Sequence, residues 1–187
     1  MKAIQVHQFG GPEVLQLQEI PTPKPAAGQV LVRVHAAGVN PFDWKVREGY
    51  MKSMLPLTLP FIPGWDVSGT VEATGPGVTR FKKGDAVYGN PSVARNGAYA
   101  EFISVKESEI TAKPASIDHV QAASVPVAAS TAWQALFDVA GLQPGQKVLI
   151  HAAVVLQGID GRELRADSEI QRRVSQRKIK VDQDGAL

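Results

Sequence analysis

The sequence predicts a mainly β fold with some α structure, and changes in periodicity along the chain support this prediction. Over residues 1–112, short segments that alternate apolar and polar residues are separated by turns rich in glycine and proline, which is typical of a β-sandwich or barrel. Over residues 118–140 the composition becomes rich in alanine, and small or apolar residues recur at helical spacing. A compact apolar run at 147–151 then follows a Pro-Gly turn, which indicates the opening of an α/β unit.

Six segments of the β region have the pattern of a strand. The β-branched, alternating run at 30–35 is the strongest of them. Gly10-Gly11-Pro12 predicts a turn, because glycine tolerates positive φ and proline fixes its own φ. Prolines at 21, 23 and 25 predict an extended loop, because proline interrupts strand pairing. The predicted strands are 2–6, 15–18, 30–35, 67–73, 86–88 and 98–105.

The helical region allows two interpretations. One helix runs through 118–140, or Ser130 caps a shorter helix that begins near Thr131. In either case Gly141 suits the end of the helix, and Pro144 follows at the usual distance.

The last part of the sequence changes character twice. The run at 147–151 predicts a buried parallel strand. Residues 154–187 carry many charges and no aromatic residue, and a stripe that includes Ile170, Val174 and Ile179 is ragged. We therefore expect a marginal helix or disorder in this tail.

Composition excludes several classes of protein. The 187 residues include no cysteine, so disulfides and thiolate metal ligands are excluded. No apolar stretch is long enough to span a membrane, and the N-terminus has no signal-peptide pattern. The net charge is +2, and the basic residues of the tail are nearly balanced by acidic ones, which argues against nucleic acid as a partner. We expect a cytoplasmic protein.

Six short motifs occur in a characteristic order. Through them, residues 1–153 resemble the N-terminal part of zinc-independent medium-chain dehydrogenase/reductases of the NADP-dependent quinone oxidoreductase type. The motifs are Gly-Gly-Pro-Glu-Val-Leu at 10–15, Val-His-Ala-Ala-Gly-Val-Asn-Pro-Phe-Asp at 34–43, Pro-Gly-Trp-Asp-Val-Ser-Gly-Thr-Val at 63–71, Lys-Gly-Asp-Ala-Val-Tyr-Gly at 83–89, Ala-Tyr-Ala-Glu at 98–101 and Thr-Ala-Trp-Gln-Ala-Leu at 131–136.

The resemblance implies a domain organisation. It implies a GroES-like β-barrel catalytic domain over 1–125, followed over 126–153 by a hinge helix and the first strand of a Rossmann α/β domain. Residues 154–187 do not match the family and form a separate charged tail.

The resemblance also bears on metal binding. Zinc-dependent relatives have Cys and His where this sequence has Asn40 and Trp65, and an amide and an indole are poor Zn²⁺ ligands. The four histidines are scattered along the sequence, each in or beside an apolar segment, and are interpreted as core or surface residues. We expect no metal.

Two residues are candidates for catalysis. The resemblance places Asn40 near the nicotinamide and the substrate, where its amide can donate a hydrogen bond to a carbonyl oxygen as charge develops. The alternative is a turn residue before Pro41. Tyr50 is expected to line a quinone pocket, with its ring stacked on the substrate and its hydroxyl as donor. The alternative for Tyr50 is a loop aromatic residue that covers the core.

Further candidates are weaker. The resemblance places the Thr131 hydroxyl near the nicotinamide carboxamide, so Thr131 and Asn40 are the predicted cofactor contacts. The alternative for Thr131 is a helix-capping hydroxyl. Asp43 and Trp44 are minor candidates near the substrate, and Trp44 is more typical of packing.

The sequence departs from the family after residue 153. A glycine-rich turn should follow there, so that main-chain N–H groups approach the cofactor diphosphate. Residues 154–158 are Val-Val-Leu-Gln-Gly, whose bulky side chains prevent that approach. Read one base out of frame, suitable codons for this segment encode Gly-Gly-Val-Ala-Gly. We therefore expect a frameshift or mis-assigned reading frame; natural truncation, intron retention and a fusion boundary are alternatives.

Two functions follow from these observations. In the parent family, NADP(H) would deliver hydride to a quinone or another activated enone. We expect this chain by itself to bind no cofactor and to be inactive. The alternative is a non-catalytic, GroES-like module that binds a partner. The electron acceptor and the oligomeric state are left open.

Overall fold

A computed structural model describes residues 1–55, 57–150 and 179–181. The chain divides into two compact units, Met1–Val127 and Ala128–Leu187. In the first unit, strands greatly outnumber helices among the described residues. The prediction of a mainly β fold with some α structure is confirmed.

The first unit contains a hairpin and a larger sheet. Its strands are β1 Lys2–Val6, β2 Leu15–Glu19, β3 Gln29–Ala37, β4 Val67–Thr74, β5 Ala86–Gly89, β6 Phe102–Lys106 and β7 Ile110–Ala112. β1 pairs with β2, and the other five strands form an antiparallel sheet in the order β6-β3-β4-β5-β7. All six predicted strands are present, although β6 begins four residues later than predicted. The sequence pattern did not predict β7, because three residues are too few to show an alternation.

The larger sheet is built on buried valines. Along β3, Val30 and Val32 are fully buried and Arg33 is exposed, but Leu31 is buried as well, so the period of two holds only in part. Val67 and Val71 of β4 complete the centre of this core. The β-branched side chains suit a pleated surface, because they lose little freedom there and pack against their cross-strand neighbours.

A second core supports the loops that follow β3 and precede β4. It contains Val6 of β1, Val46, Phe61 and Trp65, all almost completely buried. Val46 belongs to helix α1, Pro41–Arg47, which the sequence pattern did not predict. Proline suits its first position, since the N–H that proline lacks would have no partner inside the helix.

The helical region differs from both interpretations. Pro126 interrupts it, because proline lacks an N–H and disfavours helical backbone in the residue before it. Thr131 therefore lies inside a helix and does not begin one, and its N-capping role is wrong. Asp118 is the actual cap, since its Oδ1 accepts a hydrogen bond from the N–H of Gln121 at 2.7 Å. Gly141, with φ of +64°, ends the helical stretch as predicted. The elements are α2 His119–Ala123, α3 Pro126–Trp133 and a π-helical continuation, Gln134–Val139.

The last strand pair contradicts one prediction. β8, Val148–Ile150, pairs in antiparallel fashion with β9, Ile179–Val181. The prediction of a parallel strand is therefore wrong for β8, because the segment at 179–181 supplies an antiparallel partner. Ile179, assigned to a helical stripe, lies in β9. The remaining predictions for residues 154–187 fall outside the described residues.

Candidate functional site

The candidate site lies where β3 gives way to α1. Asn40 occupies the N-cap position of α1 with extended backbone, at φ of −118° and ψ of 156°. Its main-chain N–H donates a hydrogen bond to Asp43 Oδ2 at 2.5 Å, and its carbonyl accepts one from the N–H of Asp43 at 3.0 Å. Asn40 and Asp43 thus occupy the two positions of a capping box. The backbone of Asn40 therefore begins a helix, and its side-chain nitrogen has a separate partner.

The Asn40 amide binds a buried carboxylate from another part of the chain. Its Nδ2 donates to Asp66 Oδ2 at 2.8 Å, while the N–H of Val127 donates to Asp66 Oδ1 at 2.8 Å. The N–H of Gly38 donates to the Asp66 carbonyl at 3.1 Å. A Cβ atom at Gly38 would lie 2.8 Å from Asp66 Cβ, so glycine is needed for this close approach. Asp66 thus connects the end of β3, α1 and the start of α3.

Burial perturbs both carboxyl groups of the site. Burial raises the pKa of Asp66 to about 6; the hydrogen bonds from Asn40 and Val127 oppose this shift, and the charge of Asp43 adds to it. Burial also raises the pKa of Asp43, against the hydrogen bond that its carboxylate accepts from the Asn40 N–H. In turn, burial and then the charge of Asp43 raise the pKa of Tyr99.

An exposed aromatic pair borders this buried network. Trp44, on α1, and Tyr50, just after it, meet edge-to-face with ring centroids 5.8 Å apart. Tyr50 is 68% exposed, so the alternative that it covers the core is wrong. Lys45 lies over the Trp44 ring at 5.7 Å. Asn40, Asp43, Trp44 and Tyr50 therefore all belong to α1 and its flanks.

Thr131 belongs to the second unit. It lies in the last part of α3 and is exposed. Its contact with a nicotinamide stays a prediction.

Sequence reasoning did not assign roles to two members of the network. Asp66 and Tyr99 lie inside quoted motifs, at 63–71 and 98–101. One signal was available for Asp66: it is the single acidic residue in the apolar segment 59–71. A carboxylate in such a segment is buried only where specific donors surround it. No comparable signal distinguished Tyr99.

Trp65, which was compared above with the histidine of zinc-dependent relatives, is part of the second core. Trp65 is 1% exposed and packs edge-on against Phe42, with ring centroids 5.3 Å apart.

Among the described residues, no group of three or more histidine, cysteine, aspartate or glutamate side chains is arranged to hold a metal ion. The histidines are less scattered than expected: His35 and His119 stack with ring centroids 4.4 Å apart, and His119 Nδ1 is hydrogen-bonded to Ser68 Oγ at 2.7 Å.

A cavity of about 460 Å³ opens elsewhere in the first unit. Its lining includes Lys24, Phe61, Arg95 and Phe102, and neither Asn40 nor Tyr50. This cavity is therefore separate from the candidate site.

Asp66 is expected to make stability depend on pH. The unfolded carboxyl ionises first, at the ordinary pKa of 3.8, whereas the folded one ionises near 6. The free energy of unfolding should therefore fall as pH rises from about 4 to about 6, by roughly 3 kcal/mol. Urea unfolding followed by circular dichroism at pH 4 and pH 7 measures this loss.

The variant D66N serves as the control, since it cannot ionise and leaves all other titrating groups in place. Its loss of stability over the same interval should be smaller by about that amount. An equal loss in the free energy of unfolding between pH 4 and pH 7 in the two proteins would contradict the assignment to Asp66.

The comparisons with known proteins identify the domain that contains this site. Residues 26–115 match the alcohol dehydrogenase GroES-like domain. Quinone oxidoreductase from Rattus norvegicus is 44% identical over 154 residues, which is 82% of this chain and 46% of that protein; the Homo sapiens protein is 41% identical over the same shares. The chain spans about half the length of the curated relatives it matches.

Solved structures give the same result. Quinone oxidoreductase from Coxiella burnetii is 40% identical with a TM-score of 0.75, covering 82% of this chain and 49% of that one. The Escherichia coli enzyme, complexed with NADPH, is 31% identical with a TM-score of 0.66, and the match covers 73% of this chain and 40% of that one.

Among the described residues, none of the helices has the length and apolar character needed to cross a membrane.

Proposed function

We propose that the first unit of this chain, in which residues 26–115 match the alcohol dehydrogenase GroES-like domain, binds the substrate of a quinone or enone reductase of the medium-chain dehydrogenase/reductase family. In such an enzyme NADPH supplies hydride when it is bound, and the protein supplies position and polarity. The Escherichia coli relative, complexed with NADPH, supports this choice of cofactor.

The proposal rests on the hydrogen bonding of the Asn40 side-chain amide. One of its N–H groups is held by Asp66, and Asn40 is only partly buried. A second N–H is left to donate to a carbonyl oxygen, which gains negative charge when hydride reaches a conjugated carbonyl. The exposed rings of Trp44 and Tyr50 offer flat apolar surfaces that suit a planar quinone.

A quinone titration of the 187-residue chain tests the substrate side directly. The chain contains no cysteine, so a quinone cannot add to a thiol. Titration with 1,4-naphthoquinone should shift the NMR signals of the Asn40 amide and of the Trp44 and Tyr50 rings. The N40A variant should bind about tenfold more weakly, the cost of losing one hydrogen bond to the quinone carbonyl oxygen.

A different pattern of shifts would contradict this proposal. If the shifts fall on the separate cavity near Phe102 instead, the site is misplaced. If the quinone perturbs no residue, the alternative of a non-catalytic, partner-binding module is favoured.

We propose that the cofactor does not fit this chain. In the sequence, Val154, Val155 and Leu156, which lie outside the described residues, take the place of the glycine-rich turn whose N–H groups would approach a diphosphate. We therefore derive no step through the nucleotide, although Asn40 and Thr131 remain the proposed contacts with its nicotinamide end. A cytoplasmic location and a role without zinc or nucleic acid also stay predictions.

NADPH binding should be correspondingly weak. Because most of the usual contacts with a dinucleotide come from the glycine-rich turn and the helix after it, we expect no saturable binding below about 1 mM. Isothermal titration calorimetry measures this, with the Escherichia coli relative as positive control. Micromolar binding by the 187 residues would contradict the prediction.

A further inference from the structure

We propose, on the basis of the substrate-binding function above, that Asp66 is a positioning residue that sets which groups of the Asn40 amide face the substrate. The distance from Asn40 Nδ2 to Asp66 Oδ2 is 2.8 Å. An ionised carboxylate can only accept hydrogen bonds, so the nitrogen of the amide must face it. The two orientations of an asparagine amide, otherwise almost equivalent in shape, are thereby distinguished.

The carboxylate of Asp66 is itself held in place. Its side chain is 1% exposed, and its other oxygen accepts the N–H of Val127 at 2.8 Å. Its two neighbours in sequence, Trp65 and Val67, are also buried. Rotation of the carboxylate would break one of two buried hydrogen bonds, so Asp66 offers Asn40 an acceptor in one fixed direction.

The amide of Asn40 keeps unused hydrogen-bonding capacity. Among the described residues, its second N–H makes no further hydrogen bond. With the nitrogen held by Asp66, this N–H is the donor that remains for the substrate. A freely rotating amide would present either group, and its donor would be in place for only part of the time.

Hydrogen exchange of the side-chain amide tests the orientation without any ligand. In the 187-residue chain, the Asn40 amide should exchange at least about tenfold more slowly than that of exposed Asn90, because one of its protons is held by a buried carboxylate. In D66N, the new amide nitrogen at position 66 meets Asn40, which must turn its oxygen inward. The Asn40 protons should then exchange within about twofold of those of Asn90.

The exchanged pair N40D/D66N separates positioning from structural support. It restores a buried carboxylate–amide hydrogen bond with the roles reversed, so the melting temperature should recover relative to N40D, which places two carboxylates together. Residue 40 then presents only acceptor oxygens outward. Affinity for 1,4-naphthoquinone should stay at least about tenfold below that of the unmodified chain.

The outcomes distinguish the inference from the proposed function. Rapid exchange at Asn40 in the unmodified chain, or equal exchange in D66N, overturns the positioning role whatever the quinone does. If D66N does not fold, the comparison of Asn40 with Asn90 still decides. Recovery of quinone affinity in N40D/D66N also overturns it. Slow exchange with no quinone binding in any variant supports the orientation by Asp66 and rejects the substrate.

Discussion

Replacing Trp65 with alanine is expected to lower the free energy of unfolding of the first unit by about 3–5 kcal/mol. The indole is 1% exposed and lies between Phe42, at 5.3 Å, and Phe61, at 6.4 Å between ring centroids. Its removal leaves a cavity that rigid neighbours on α1 and in the segment before β4 cannot fill. Urea unfolding followed by circular dichroism measures the loss, because the fluorescence of Trp65 disappears with the side chain.

The variant W44A provides the matched control. Trp44 is 40% exposed, and its edge-to-face contact with Tyr50 is worth about 1 kcal/mol. W65F should fall between the two, since it keeps much of the packing and removes the indole N–H, which has no partner among the described residues. Equal losses in W65A and W44A would show that Trp65 is not part of a close-packed core.

Replacing Gly64 with alanine is expected to cost about 3–5 kcal/mol, from a backbone term and a steric term together. The φ of Gly64 is +93°, which disfavours any Cβ. The added Cβ would also lie 2.3 Å from the Tyr99 ring. Because Gly64 precedes Trp65 and Asp66, the substitution should disturb the candidate site as well, and the Asn40 amide signals should shift.

The variant G77A separates the backbone cost of G64A from its steric cost. Its φ of +79° imposes a similar backbone cost, but a Cβ there meets no atom within 4 Å. G77A should therefore cost only about 1–2 kcal/mol, measured in the same urea experiment. The double variant G64A/Y99L should regain part of the loss. If G64A and G77A cost the same, contact with Tyr99 contributes nothing.

The candidate site was only partly predictable. Asn40 could be identified from the motif in which it stands, and Tyr50 and Trp44 from their nearness to it in sequence. The contact with Asp66 joins residues 26 positions apart, and the N–H of Val127 is 61 positions from the carboxylate that it binds. Periodicity reports the face on which a side chain lies, and it gives no information about which distant polar group completes a hydrogen bond. Asp66 therefore required the tertiary structure.

The helical region shows how a local signal can be overlooked. Pro126 interrupts residues 118–140. One interpretation treated these residues as a single helix, and the other began a shorter helix near Thr131. The recurrence of small or apolar residues at helical spacing outweighed Pro126, although proline in a helix interior removes a hydrogen bond and clashes with the preceding turn. Asp118 and Gln121, three residues apart, form the capping box that marks the true start of α2.

The sequence by itself determined six of the seven strands of the first unit and the turn signals that separate them. These depend on neighbours in the chain: the period of two, the β-branched residues, glycine and proline. Only the tertiary structure decided that Asn40 is held by Asp66, that His35 stacks on His119 and that β8 pairs with β9. Each joins groups far apart in sequence, and packing of the whole chain, rather than local preference, brings them into contact.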